Sequence, residues 1–445
     1  MGGGRGGLLW RFGSLASVPE SIGDQGSGKG LGVEDCLGGC EVAQAVMDSK
    51  LSIRVVTDPE EFVALRECWN ELLQRCEDDN VYLTWEWLFA HWSHYGQGSR
   101  LSILLVEDQG RVIGIAPLMC STYGRWPLRF KVLENISVAD TDYSGVILAE
   151  RKEEAVSALL EYIDEATRRD GATVRLTQLP QDSRFLELLE KEYPRFSSSL
   201  VLDKRVMATC PYLPLPATWD EFFYSVRRKR RNNLRRALRA LEKDFGVRFE
   251  RAAEHDDLEE RVSELIDLHQ KRWQGEGLSG TFASQQAREF YIDVAKELCR
   301  RGWLDLSFMR VNGRAISAVY GLKYGGKFYY MLTAFDPAYA DYSAGNVHIM
   351  RLIEDAIKSG IREFDFVVGE GGYKFYWTQH ARQNIGLVVM RRRFPAGARL
   401  RLFRAFMRLR SVFRRSPREN LRLYLLKRKQ RRLGKAADGA ARVKC

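Results

Sequence analysis

The chain has 445 residues, enough for two domains of ordinary size that each bury a core. With 45% hydrophobic and 29% charged residues it is globular, neither disordered nor fibrous, and no apolar run reaches the roughly 20 residues of a membrane-spanning helix. The formal net charge is +11, yet from Arg391 to Lys435 the only acidic residue is Glu419. The tail therefore carries the excess, which removes global charge as an argument for nucleic-acid binding.

Residues Met1 to Val46 are rich in Gly and Ser, lack periodicity and lack the plan of a secretory signal. They read as a disordered leader, or as an upstream extension of a start at Met47. The eight cysteines are scattered, with no CxxC pair and no histidine spacing for zinc. A reduced, cytoplasmic chain without a metal is the expectation.

In chain order, strand-like Leu51–Val56 leads to Asp58-Pro59, a helix start. Phe62, Leu65, Trp69, Leu72 and Cys76 follow at helical spacing. A second helix covers Trp85 to Trp92. Segments 101–106 and 111–119 form a hairpin about Gly110, and helix 153–168, Gly171 and strand 173–179 come next. After Pro211–Pro216 a fresh unit begins at the capping box Thr218-Trp-Asp-Glu221, whose helix is expected to run from Phe222 to about Phe245. Helices 258–273 and 285–301 flank a Gly-rich loop. Strands 304–311, 314–324 and 327–335 turn at Asn312-Gly313 and Gly325-Gly326, where positive φ is needed. Helix 345–358, Gly360 and strand 363–368 complete the unit.

The two units repeat one another. Val112-Ile-Gly-Ile-Ala116 after Gly110-Arg111 parallels Ala315-Ile-Ser-Ala-Val319 after Gly313-Arg314. Asp142-Tyr143-Ser144-Gly145 parallels Asp341-Tyr342-Ser343-Ala-Gly345. Several matches in one order imply an internal duplication. In the second unit, a strand ends in a loop that feeds a helix N-terminus, where free amides and the helix dipole suit a pyrophosphate. Ser343, Gly345 and Asn346 would supply the donors there; an ordinary Ser343 cap is the plainer alternative.

The run Leu268-His-Gln-Lys-Arg-Trp273, the loop Phe335-Asp-Pro…Tyr342-Ser…Gly345 and Glu363-Phe-Asp-Phe…Gly369…Tyr373-Lys374…Trp377 resemble the GNAT acetyltransferases of the bacterial cellulose-biosynthesis (CelD/BcsL) type. Thr84-Trp-Glu-Trp-Leu88…His91-Trp92 resembles that family's first-half helix. The resemblance covers about Met47 to Arg391 and extends to Fem-like transferases, which use aminoacyl-tRNA on cell-wall precursors. It implies an α/β (α+β) fold with tandem GNAT-like domains, each a mixed, mostly antiparallel sheet flanked by helices. It also implies acetyl-CoA or another acyl-CoA as co-substrate. One departure stands: of the usual Gln/Arg-x-x-Gly-x-Gly/Ala phosphate loop, only Gly345 is kept, which leaves less room for backbone near a pyrophosphate.

Acyl transfer to an amine needs a base, oxyanion donors and an acid. Asp365, on the strand after the phosphate-binding helix, is a candidate base or a polar strand-end residue. Lys374 resembles the Fem-like lysine near the reacting carbonyl. Tyr342 is a candidate acid or a packed tyrosine, and His269 a candidate catalytic residue or a satisfied core histidine. Arg227, Arg230 and Arg231, in a basic helix, with Tyr373 and Trp377, form a candidate clamp for an anionic acceptor; a solvated basic face is the alternative. In the tail, Leu402, Phe406, Leu409 and Phe413 share one face among arginines, the pattern of a helix lying on an anionic membrane.

These readings divide the chain into 1–46 (leader), 47–208 (a degenerate first GNAT-like domain), 209–390 (the acyltransferase domain) and 391–445 (basic tail). The expected activity is N-acetyl transfer to an amine of a sugar or other polar acceptor, in exopolysaccharide, cellulose or envelope synthesis, at the inner membrane face. A Fem-like enzyme using aminoacyl-tRNA, the one nucleic acid then involved, and a silent accessory module of a polysaccharide synthase are the alternatives.

Overall fold

The computed structural model describes residues 50–124, 129–137, 141–252, 257–275, 278–369, 371–392 and 396–413. The readings on the leader and on the tail beyond residue 413 lie outside these.

The first half opens with β1 (Ser52–Val56), α1 (Pro59–Ala64) and α2 (Arg66–Gln74). The Asp58 side chain accepts from the Glu60 amide and Pro59 takes the first helical position. The expected single helix is broken at Leu65, but its apolar face is kept, since Phe62, Leu65, Trp69, Leu72 and Cys76 are all buried. Then come α3 (Trp85–Tyr95), β2 (Arg100–Leu101), β3 (Ile103–Asp108), β4 (Arg111–Ala116), β5 (Leu118–Tyr123), β6 (Phe130–Asn135), β7 (Ile147–Leu148), α4 (Lys152–Asp170), β8 (Thr173–Pro180), α5 (Arg184–Glu192) and β9 (Leu200–Pro214). The second half holds α6 (Trp219–Ser225), α7 (Arg228–Phe245), β10 (Arg248–Ala252), α8 (Leu258–Gly275), α9 (Gln285–Arg300), β11 (Leu304–Val311), β12 (Arg314–Tyr324), β13 (Lys327–Phe335), α10 (Ala344–Lys358), β14 (Glu363–Asp365), β15 (Ala381–Arg391) and α11 (Ala396–Phe413).

One correction concerns the basic helix. It does not run unbroken from Phe222, because Val226 and Arg227 are extended between α6 and α7. The Arg231 guanidinium fills the break by donating to the carbonyls of Tyr224 and Val226.

The strands form a four-stranded sheet, β1-β3-β4-β7, and an eleven-stranded sheet, β10-β11-β12-β13-β14-β9-β15-β8-β6-β5-β2. The duplication is visible in backbone detail. Both hairpins turn on two residues of positive φ, Gln109-Gly110 and Asn312-Gly313. Each has a register shift at the same offset: Val112 faces Glu107 and Gly114 faces Val106, while Ala315 faces Arg310 and Ser317 faces Met309. Ile113 and Ile316 are thus equivalent bulge residues. Each half also has one parallel pair closed by a helical crossover, β6 with β8 around α4 and β13 with β14 around α10.

Neither half stands apart. β9 pairs with β15 from Leu200 to Pro211 and with β14 from Tyr212 to Pro214, so one strand passes through the junction. The aromatic core is shared too: Trp69 and Trp87 of the first half lie in one cluster with Leu265, Phe290 and Tyr320 of the second. Trp87 meets Phe290 edge-on at 5.5 Å, a geometry that adds about 1 kcal/mol to the area buried. Beneath it, fully buried Glu86 accepts from Asn70, Arg66 and Arg301, joining α2, α3 and the end of α9. On α11, Phe403 is buried against Phe130 and Phe406 packs beside it, whereas Leu402 and Leu409 are exposed. Of the apolar face expected on this helix, Phe406 meets the sheet and Leu402 and Leu409 meet solvent, while the Phe413 side chain lies outside the described residues.

Candidate active site at the junction of the two halves

A parallel strand pair joined through a helix is held together only where its hydrogen bonds last. β13 pairs with β14 over three positions, Lys327 with Glu363, Phe328 with Phe364 and Tyr329 with Asp365, and then the two part. Beyond the split, the chain after β14 follows β9 instead: the Phe366 amide donates to Pro211 O at 2.9 Å and the Gly369 amide to Thr209 O at 3.1 Å. Among the described residues, the edge of β13 from Tyr330 to Phe335 has no strand partner on that side. The result is a wedge lined by main chain.

The first half has the same split after Glu134 and Arg175, but there the wedge is filled by its own chain. The Ser144 amide donates to Gln178 O at 2.9 Å and its hydroxyl bonds Thr177 O, so segment 141–146 lies along β8. In the second half the corresponding segment turns outward through Pro337–Tyr342, and the wedge ends on the start of α10. Ser343 there has φ 51° and makes no side-chain cap. The Asn346 and Val347 amides turn back onto Ser343 O at 2.9 and 3.1 Å, which leaves the Ala344 and Gly345 amides without an acceptor among the described residues. A Cβ on Gly345 would meet nothing within 4 Å, so the backbone faces open space. The Asn346 Oδ1 is buried and has no partner among the described residues.

The first-half plug reaches across the junction. Tyr143 donates to Asp365 Oδ2 at 2.8 Å, and Asp142 Oδ1 accepts the Val368 amide at 3.2 Å while Oδ2 accepts from Tyr82 at 2.9 Å. Asp365 also accepts the Val367 amide at 2.7 Å, with the Arg382 guanidinium 3.7 Å away. Val367 holds φ 51°, a costly state for a β-branched residue, and such outliers gather at functional sites. Lys374 closes the turn from the other side. Its ammonium donates to the carbonyls of Phe366 and Val368 at 2.6 and 2.7 Å, with Val367 O at 3.3 Å.

Burial sets the electrostatics. Desolvation pushes the Asp365 carboxyl above its usual range, against the pull of Arg382. It raises Asp142 to about 6, with Lys374 and the Tyr82 bond opposing. It lowers Lys374, against the attraction of Asp142, Cys210 and Asp365, and lifts the Cys210 thiol to about 12. Tyr373, 39% exposed, has its hydroxyl desolvated and raised to about 12, with Arg272 opposing and Asp142 adding. Arg272 itself lies 4.4 Å from the ring centre of Phe335 at the end of β13.

The structure thus brings together Asp365, Lys374 and Tyr373, and sets Ser343, Gly345 and Asn346 at the end of the same wedge. Tyr342 lies at its rim, half-buried, with its hydroxyl 3.5 Å from Asp244 and its ring against Phe245. Trp377 is buried in the core with Leu213 and Ile349, its indole N–H unpartnered among the described residues. Arg230 stacks on Tyr376 at 3.7 Å, joining the basic helix to the Lys374 loop; Arg231 is spent on carbonyls and Arg227 is exposed. His269 is elsewhere in its contacts: its Nε2 accepts from Trp273 at 2.8 Å, its ring meets Phe282, and burial lowers its pKa to about 4.

Sequence reasoning missed Asp142, Tyr143, Tyr82, Arg382 and Arg272 as site residues. Asp142-Tyr143 did carry a signal, as the first copy of the repeated tripeptide, and Arg272 lies within the run Leu268–Trp273. Tyr82 and Arg382 carried none.

Residues 228–375 match a family model described as an acetyltransferase (GNAT) domain. Among solved structures, the crystal structure of FemX is 12% identical, covers 77% of this chain and 98% of its own, and superposes with a TM-score of 0.55. The L-PGS structure from Bacillus licheniformis is 12% identical at 0.49, covering 81% and 98%. A tandem GNAT protein from the clavulanic acid biosynthesis pathway is 12% identical at 0.42, covering 76% and 98%. The likeness to FemX establishes a shared fold. A comparison with curated proteins finds no match.

Proposed function

We propose that the protein is an acyl-CoA-dependent N-acyltransferase of the GNAT type, acting on an amine of a sugar or other polar acceptor. The observation that carries this reading is the asymmetry of the two wedges. One is filled by segment 141–146, and the other is open along β13 and ends on the uncapped start of α10. Free amides and a helix dipole at the mouth of the wedge suit a pyrophosphate. The unpartnered edge of β13 offers main-chain N–H groups to a thioester carbonyl, and these stabilise the charge that develops as the amine attacks.

In this reading Ser343, Gly345 and Asn346 bind the donor's phosphates, and Tyr373 and Arg272 border the reacting end. Asp365 and Lys374 are positioning residues, because their polar atoms are engaged with Val367, Tyr143 and the 366–368 carbonyls. Tyr342, beside Ser343 at the phosphate end, with its ring on Phe245 and its hydroxyl turned to Asp244, is read as a packed tyrosine of the rim. The two copies are taken as 47–208 and 209–390, a boundary that falls inside β9, with the first half shaping the acceptor side. A place in exopolysaccharide, cellulose or envelope synthesis rests on the sequence resemblance.

Thermal stabilisation by acetyl-CoA, abolished in Gly345→Arg, is the expected result. The fold shared with FemX supports a second reading, in which aminoacyl-tRNA is the donor. Stabilisation by aminoacyl-tRNA and none by acetyl-CoA would establish it instead. A protein stabilised by neither that co-purifies with a membrane synthase would be an accessory module.

A further inference from the structure

The basic helix offers more than the two arginines nearest the site. Between Arg227 and Ala240 every charged residue is a cation. Arg228, Arg231, Arg235 and Arg239, spaced three and four apart, form one flank of α7 and extend about 16 Å at 1.5 Å per residue. Lys229 and Arg236, seven apart, form the other flank. The opposite face is buried through Leu234 and Leu241.

Among the described residues these cations have no carboxylate partner. Arg236 donates to Asn233, Arg231 donates to two carbonyls, and Arg235 and Arg231 lie 4.8 and 5.1 Å from the ring centres of Phe223 and Tyr224. The first turn of α7 contains no acid, so the charge stacks at the positive end of its own helix. That arrangement works against helix stability unless an external anion lies nearby.

The shape of the charge selects the anion. A small phosphate ester needs groups converging on a cleft, whereas these spread over the convex outer face of one helix. A single polyanionic strand would meet one flank and leave the other in water. A plane of headgroups meets both flanks together, and Tyr224, 64% exposed at the start of the face, has the amphipathic ring favoured at such an interface. We infer that α7 is a docking surface for an anionic lipid bilayer, with its arginines against headgroup phosphates. This does not depend on the donor or the acceptor of the proposed reaction.

The test is co-sedimentation of the full chain with phosphatidylcholine vesicles containing about one-third phosphatidylglycerol. Binding is expected to these and not to pure phosphatidylcholine, with release near 1 M salt, where the Debye length falls to about 3 Å. Combining Arg228→Glu, Arg235→Glu and Arg239→Glu should lower partitioning on the order of 100-fold. The same three positions changed to Gln give a milder set, and melting curves of both show whether the fold is intact. Undiminished vesicle binding by folded variants would overturn the inference. So would tighter binding to single-stranded RNA or polyuronate than to vesicles, lost with the same substitutions.

Discussion

Tyr143 donates its phenolic hydroxyl to Asp365 at 2.8 Å, across 222 residues of chain. Tyr143 belongs to the first copy of the Asp-Tyr-Ser tripeptide and Asp365 to the strand that follows the second. The copies have diverged in use. Asp142-Tyr143-Ser144 fills the wedge of its own half and locks the neighbouring site, while Asp341-Tyr342-Ser343 stands at the mouth of the open wedge. The two halves share one plan of hairpin and parallel pair, and the filled wedge of the first supports the open wedge of the second.

Tyr143→Phe removes one of the bonds that compensate a fully buried carboxylate. We expect a loss of about 1–3 kcal/mol in denaturant unfolding, the cost of an acceptor left short of partners in the interior. Unchanged stability would mean that Arg382, 3.7 Å away, closes on Asp365 without penalty.

Asp142 gives a pH signature of definite sign. Its folded pKa, raised to about 6 by burial, lies above the unfolded value near 3.9. The folded state then binds more protons between these values, so this group's contribution falls as pH rises from about 4 to 6 and is constant above. The stability difference between wild type and Asp142→Asn, followed by denaturation across that window, should shift against wild type by about 2 kcal/mol. A flat difference would refute the assignment.

Glu86 is the buried anchor of the α2–α3–α9 contact, and Glu86→Ala leaves Asn70 short of a partner and Arg66 and Arg301 without their shared carboxylate. Both arginines are about one-third exposed and regain water, which holds the expected loss to about 2–3 kcal/mol, below the range for a fully buried pair. Chemical denaturation measures it. Because the contact joins the halves, a second unfolding transition should also become visible in the variant.

What the sequence determined by itself was local or repeated. Asp58-Pro59, Thr218-Trp-Asp-Glu221, Asn312-Gly313 and Gly325-Gly326 act through neighbouring backbone, so helix starts and hairpin turns were legible, and order along the chain exposed the duplication. The helix break at Val226 was not, because a long-range need for α6 and α7 to pack separately overrides a helical pattern that is itself continuous. Tertiary structure alone decided that one wedge is filled and the other open, since that depends on which strand segment 141–146 meets. It also decided that Lys374 and Asp365 brace a strained turn. A polar residue's role follows from how many of its bonds the fold has already taken, and those partners can lie 222 or 226 residues away.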